Sequence, residues 1–592
     1  MALLSERMQH YFAHCLNSRR LYGILAVASI VLSLPSLWTG LHVDDFVHRH
    51  IMLRTPLAEQ FYGPPLSMFD FANGDPARAA KLMDAGIMPW WAFTQIKLLF
   101  LRPVAALTHW LDYLLWPDYI PLMHLHSIIW YVALVLVVTL LYRRFFGLSF
   151  AGCLAALMYA IDDAHAMPVC WIANRNALIA AFFGFLAVVL HDRWRRSHEY
   201  ASALLAPACL MLALLSNEGA IAATAYVCAY ALFIDKASGK IRCASLLPYL
   251  AVITVWRILY TFMGYGVLGT PAYIDPLGSP LDFLNALWLR APVLLLGQWA
   301  VAPSDLFILY PPHILAAVWI AAVLSLIVLA VAFVPLFRKD PMARFWGLGM
   351  LLSVIPCCTI YPADRLLLFA GAGAMGLLAL FIKEVRSQAT GISCSVQTGK
   401  RLLYWVLIII HLIVAPLFFP LRIYGFSKLG AMMNTCIENA PLPETVSRQD
   451  IVLVNAPNYF FVMSFPLIRA LNGKAAPEHV RSLGSNMGFP PVPIRMTRVD
   501  AQTLVVAPEG GFPCLLMRDK HHPMPIDAEV HLTGMSVRIL KVGQQGWPLE
   551  VAYHFSVPLE DNSLIWFEFK ENTLIPFTPP AINESITLHT IL

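Results

Sequence analysis

The chain has 592 residues, 59% of them apolar and 13% charged, with a formal net charge of +5 and a mean hydropathy of +0.65. Soluble globular chains carry about a quarter charged residues, so this composition belongs to a membrane protein. Nucleic acid is excluded as a partner because no basic patch interleaves with aromatics. A zinc or disulfide scaffold is excluded because the 11 cysteines contain no CxxC pair and no ligand spacing.

The first apolar run, from about Leu21 to Leu37, leads into an Asp-rich stretch and lacks a small-residue cleavage site. It reads as a start-transfer helix that stays in the protein. A bilayer span needs about 20 apolar residues. Runs that meet or approach this begin near Leu21, Tyr119, Leu148, Trp171, Ala201, Gly219, Leu246, His313, Ala343, Leu366 and Leu402, which predicts eleven spans. The basic clusters Arg19/Arg20, Arg143/Arg144, Arg193/Arg195/Arg196, Lys236/Lys240/Arg242, Arg338/Lys339/Arg344, Lys383/Arg386 and Lys400/Arg401 occupy alternate loops. The positive-inside rule makes those loops and the N-terminus cytoplasmic. A further apolar stretch, Leu284–Val301, would put the later clusters on the wrong side if it crossed, so it is expected to be a re-entrant or interfacial helix.

The fold class expected is an α-helical polytopic membrane protein with a C-terminal soluble α/β or mostly β domain. The membrane domain covers residues 1–424 and holds a long outer loop at about 40–118. The second domain covers residues 425–592 and emerges on the periplasmic or lumenal face. There Val551, Tyr553, Phe555 and Val557 alternate with smaller or polar residues, and Ile565, Phe567 and Phe569 repeat the pattern, as half-buried strands do. Ile451–Val454 reads as another strand and Pro466–Leu471 as a short helix. The membrane is expected to be the bacterial inner membrane, with the endoplasmic reticulum as the alternative.

The ionisable residues inside or beside the apolar runs fall on one face of this topology. Asp44 and Asp45 follow the first helix. Arg102 and His109 lie in the long loop. Asp162, Asp163, His165 and Arg175 follow the third helix, Glu218 sits between the fifth and sixth, and Asp364 and Arg365 between the ninth and tenth. Charges at membrane depth are costly and usually line a cavity or pathway. Carboxylates beside arginines suit a reaction that removes a proton and stabilises a departing phosphate. Each group also has a structural reading. Asp44 and Asp45 can be a polar helix terminus, Asp162, Asp163 and His165 can cap a hairpin, and Asp364 and Arg365 can be a local ion pair. Trp90 and Trp91 fit an interfacial aromatic belt.

The order of these motifs over residues 20–420 resembles the GT-C class of membrane glycosyltransferases, in the branch of protein O-mannosyltransferases and tetratricopeptide-bearing transmembrane O-mannosyltransferases. Asp44-Asp45 is similar to the acidic motif after the first helix of that class, and Arg102-Pro103 to the Arg-Pro segment entering the second. "DDAHAMPVCWIANRNAL" resembles its histidine loop, with Trp171, Ile172 and Arg175 following. Asn217 stands where a Lys commonly precedes the Glu, and Asp162-Asp163 replaces a His-Pro pair. The resemblance implies a polyprenyl-phosphate-linked sugar donor, with Asp44 or Asp45 as general base in an inverting transfer to a hydroxyl. It implies that Arg175 or Arg365 offsets the lipid phosphate charge, with Arg102, Asp162, Asp163, His165, Glu218 and Asp364 shaping the substrate cavity. No cofactor is required. A divalent cation is compatible with this scheme, but arginine supplies the same electrostatic role. The alternatives are a transporter or flippase, and a polymerase or ligase of lipid-linked glycans.

Overall fold

The computed structural model describes residues 20–387, 394–485, 492–512 and 517–589. Arg19, one of the residues in the basic clusters, lies outside them. In chain order the main helices are α1 (Arg20–Ser33), α2 (Asp44–Leu53), α3 (Pro103–Leu115), α4 (Ile120–Phe146), α5 (Phe150–Ala160), α6 (Arg175–Ser197), α7 (Tyr200–Leu214) and α8 (Ala223–Phe233). They continue with α9 (Leu247–Phe262), α10 (Pro280–Ala300), α11 (Pro312–Lys339), α12 (Pro341–Cys357), α13 (Leu368–Ser387), α14 (Cys394–Ile409), α15 (Ala415–Glu438) and α16 (Tyr459–Leu471).

Every one of the eleven apolar runs is helical. Seven stretches among the described residues are long and apolar enough to cross a membrane: Arg20–Trp38, Ile120–Phe146, Ile172–Ser197, Gly239–Phe262, His313–Lys339, Leu368–Ser387 and Thr398–Glu438. The other four runs give the shorter apolar helices Phe150–Ala160, Tyr200–Leu214, Glu218–Phe233 and Pro341–Cys357. Local chemistry sets their ends. The Gly152 amide donates to Ser149 Oγ (3.3 Å) at the start of α5, and the Met342 amide donates to Asp340 Oδ1 (2.8 Å) at the start of α12. In both, a side-chain oxygen satisfies an amide that the first helical turn leaves open.

The last run is two helices joined by a π-helical turn at Ile410–Val414. α15 passes through residues 424 and 425 without a break, and the first strand of the C-terminal domain begins only at Asp450. That domain contains a six-stranded antiparallel sheet and a four-stranded mixed sheet. The alternating residues act as expected: Val551, Tyr553 and Phe555 are buried on one strand, Pro548–Phe555, and Phe567 and Phe569 on another, Leu564–Lys570.

The long loop after α1 is not a free surface loop. Leu41, Phe46, Val47 and Ile51 of its first part, then Met68, Phe69, Trp90 and Trp91, share one apolar core with Tyr459, Phe465, Phe512 and Tyr553 of the C-terminal domain. This corrects the reading of the tryptophan pair as a membrane belt. Both rings are buried; Trp90 Nε1 donates to Tyr553 Oη (2.9 Å), and Arg518 Nε donates to the Trp91 carbonyl (2.8 Å). An indole N–H buried in such a core needs a protein acceptor, and the C-terminal domain provides it for Trp90.

A polar latch fastens the same two parts. His479 lies between Asp84 and Asp450, 3.4 Å and 2.9 Å away. The buried Arg481 donates to the Asp84 carbonyl (2.6 Å). Burial disfavours a charged His479, but the hydrogen bonds to Asp450 and Asp84 outweigh it and carry its pKa up to about 9. An unfolded histidine titrates near about 6.5. The stability it adds is therefore complete below about 6.5 and is lost as pH rises through about 9. Thermal unfolding of the detergent-solubilised protein, followed by tryptophan fluorescence, is expected to show a falling midpoint between neutral pH and pH 9 to 10. His479→Gln should flatten that decline, and an equally steep decline in the variant would remove His479 as its source.

Candidate functional site

Asp44 and Asp45 open α2 with the backbone under strain. Val43, immediately before them, has φ of 42°, a conformation a β-branched residue rarely adopts. Such strain persists where the surroundings over-determine it, and it concentrates at functional sites. Neighbours on a helix differ by about 100° in direction, so the two carboxylates part ways.

Asp45 turns inward. It is 2% exposed; its Oδ2 accepts from the His42 amide (3.0 Å) and its Oδ1 from the Ala173 amide (2.7 Å). It thereby ties the start of α2 to the turn before α6. Burial pushes its carboxyl up to about 8. Asp44 is half-buried and accepts no hydrogen bond among the described residues. Burial raises its carboxyl to about 6, against the opposing charges of Arg365 and Arg102.

Those two arginines are held differently. Arg102 donates to Glu218 Oε2 from Nε (2.9 Å) and approaches it with Nη2 (2.7 Å). Its guanidinium also lies over the rings of Phe69 and Phe100. Arg365 makes no ion pair with Asp364, its neighbour, or with any other described carboxylate. It donates to Tyr361 Oη (3.0 Å) and rests on the faces of Trp171 (5.2 Å) and Tyr361 (5.5 Å). Aromatic faces orient a guanidinium without neutralising it. Asp44 and Arg365 are thus a carboxyl and a cation that sense each other and are not locked together.

The remaining acidic residues gather round an arginine that sequence reasoning missed. Arg422 of α15 lies 2.7 Å from Asp163 Oδ2, pairs with Asp364 Oδ2, and is 4.0 Å from Asp305 Oδ2. Asp364 Oδ1 also accepts from Ser304 Oγ (2.6 Å) and the Ser304 amide (3.1 Å). Asp162 accepts from Gln298 Nε2 (2.8 Å) and caps the Ala164 amide (3.1 Å). Gly297 of α10 makes room for this, because a Cβ there would lie 2.8 Å from Asp364 Oδ1. Burial pushes the carboxyls of Asp162, Asp163 and Asp305 upward. In those three the neighbouring carboxylates add to the effect of burial, and Arg422 opposes it. Arg422 stood in the apolar run from Leu402 as a lone charge, which was the signal available. Gln298, Ser304 and Asp305 lay in or after the stretch read as re-entrant and carried none.

Two expected members are placed elsewhere. Arg175 is fully buried, and its three guanidinium nitrogens are committed: Nε to Ser127 Oγ (2.9 Å), Nη1 to Asp112 Oδ2 (2.5 Å), Nη2 to the Met123 carbonyl (2.6 Å). It cannot reach a phosphate without dismantling that network. His165 is also fully buried, with Nδ1 3.3 Å from Tyr131 Oη and its ring against Tyr159, so it packs within the bundle. His109 likewise sits among His48 and Phe69. Among the described residues, no three of His, Cys, Asp or Glu are grouped to hold a metal ion.

No family model and no curated protein matches the chain. Among solved structures it is similar to ArnT from Cupriavidus metallidurans in a crystal structure bound to undecaprenyl phosphate, at 13% identity and a TM-score of 0.36. The match covers 79% of this chain and 90% of that one. A likeness this loose decides neither fold nor activity, and the residues above carry the reading.

The two adjacent aspartates are expected to separate in a stability measurement. Asp45→Ala orphans two buried amides, each costing about 1–3 kcal/mol, and should lower the thermal midpoint clearly. Asp44→Ala removes no hydrogen bond and should leave it near the parental value. Equal losses in the two variants would contradict the division of roles.

Proposed function

We propose that this protein is a membrane glycosyltransferase of the GT-C type that moves a sugar from a polyprenyl-phosphate donor to a hydroxyl acceptor. The observation that carries this reading is the pair Asp44 and Arg365: a half-buried carboxylate with no hydrogen-bond partner among the described residues, beside a guanidinium with no carboxylate partner among them. Asp44 takes the proton of the acceptor hydroxyl as its oxygen attacks the anomeric carbon. The bond from that carbon to the phosphate oxygen breaks on the opposite side, inverting the centre. The lipid phosphate leaves with the electron pair, and Arg365 offsets its new charge through planar paired donors.

Asp45 fixes the helix that carries the base and does not exchange protons with substrate. Arg102, neutralised by Glu218, lines the same space and holds the carboxyl of Asp44 lower than burial alone would leave it. The acceptor enters from the periplasmic or lumenal face, the N-terminus being cytoplasmic. The outer domain, which shares a core with the loop carrying α2, is the part placed to meet the acceptor.

The test is transfer by the purified protein from radiolabelled polyprenyl-phosphate sugars, with lipid phosphate release followed in parallel. Asp44→Asn should cost on the order of 10²–10⁴ in turnover while donor binding survives. Since the base must be deprotonated, the rate is expected to rise with pH and to fall away below about 6, where Asp44 is protonated. Parental turnover by Asp44→Asn would remove it as the base.

Arg365→Lys keeps the charge but not the planar fork, so it should weaken donor use, and Arg365→Ala should weaken it further. Donor KM and turnover for both variants measure this, and unchanged values in both would make the arginine structural. Arg175→Lys is expected to reduce the amount of folded protein instead, because it breaks a buried network.

A further inference from the structure

The base and the phosphate ligand of the proposed reaction come from turns far apart in sequence, and one face of α15 touches all of them. Arg422, Phe426 and Gly430 are four residues apart and so form a single stripe on that helix. Arg422 grips Asp163 and Asp364, the latter adjacent to Arg365. The Phe426 ring stacks on His42 at 4.2 Å and packs against Trp171 at 6.0 Å. His42 donates its amide to Asp45, and Trp171 is the platform under Arg365. At Gly430 the helix backbone lies against the His42 ring, and a Cβ would overlap it.

The far end of α15 is anchored in the outer domain. Asn472 Nδ2 donates to Glu438 Oε1 (2.7 Å) and Lys474 Nζ to the Glu438 carbonyl (2.7 Å). The helix is therefore a rigid link from that domain to the site.

We infer that the Arg422–Phe426–Gly430 stripe is a positioning device that sets Asp44 and Arg365 against each other, a role that rests on the glycosyltransfer reading. None of the three touches substrate. Arg422 fixes the turn that presents Arg365, Phe426 wedges the Trp171 platform against His42, and Gly430 admits His42 so that Asp45 can hold the start of α2.

The test uses the full-length protein in detergent. Gly430→Ala should lower kcat on the order of 10²-fold, the cost of a misplacement of about 1 Å. Arg422→Gln should raise donor KM and move the acid limb of the pH–rate profile upward, as Arg365 withdraws from Asp44, and Arg422→Lys should recover part of both. Gly425→Ala, at a position where a Cβ meets nothing, should behave as the parent. A readout independent of turnover is the labelling rate of Asp44→Cys by a water-soluble thiol reagent. It should change when Gly430→Ala is added and not when Gly425→Ala is added.

Parental kcat, KM and acid limb in Gly430→Ala and Arg422→Gln would overturn the proposal. So would a loss confined to yield or melting temperature, or a labelling rate that Gly430→Ala leaves unchanged. If the parent transfers no sugar, the glycosyltransfer reading falls, and the labelling rate still decides the positioning role.

Discussion

A charge inside an apolar bundle must find a partner, because the medium offers little solvation of its own. The polar groups of this site are arranged by that demand. Glu218 answers Arg102, Asp112 answers Arg175, and Asp163 and Asp364 share Arg422. Each pairing draws segments from different parts of the chain to one layer of the bundle. Breaking a buried pair costs about 3–5 kcal/mol, so the layer is rigid. Rigidity of the paired groups lets two others stay unpaired. Asp44 and Arg365 are held by helix geometry and aromatic faces and, among the described residues, form no ion pair, as the proposed reaction requires.

The strain at Val43 belongs to the same economy. A left-handed residue at the entrance of α2 is tolerated because Asp45 anchors the helix on one side and the Phe426–His42 stack holds the preceding turn on the other. The backbone distortion aims one carboxylate inward and its neighbour toward the arginines. A relaxed entrance would leave both at an ordinary helix terminus.

Much of the bundle was legible from the sequence because bilayer solvent imposes long apolar runs, and each of the eleven runs is a helix. The strands of the C-terminal domain were legible for a similar reason, since Val551, Tyr553 and Phe555 alternate as a half-buried sheet requires. The site was legible as a set of residue types at the ends of helices. Its internal division of labour was not. Asp44 and Asp45 are adjacent and chemically identical, and only the amides of His42 and Ala173 distinguish them. Arg175 and Arg365 look alike in sequence, yet Asp112, in α3, commits one of them to a buried ion pair. Trp90 and Trp91 suited a membrane interface by composition, and their true partners lie more than four hundred residues later. Long-range pairing of this kind leaves no local pattern to read.

The core shared by the loop after α1 and the C-terminal domain constrains how the chain can be threaded. A close-packed apolar cluster cannot straddle a bilayer, so Trp91 and Tyr459 occupy one compartment. The chain between them must then cross an even number of times. Among the described residues, six stretches long and apolar enough to cross lie between them, an even number, and α10 as one further crossing would break that parity. The geometry of two tryptophans thus bears on the course of a membrane helix that they do not touch.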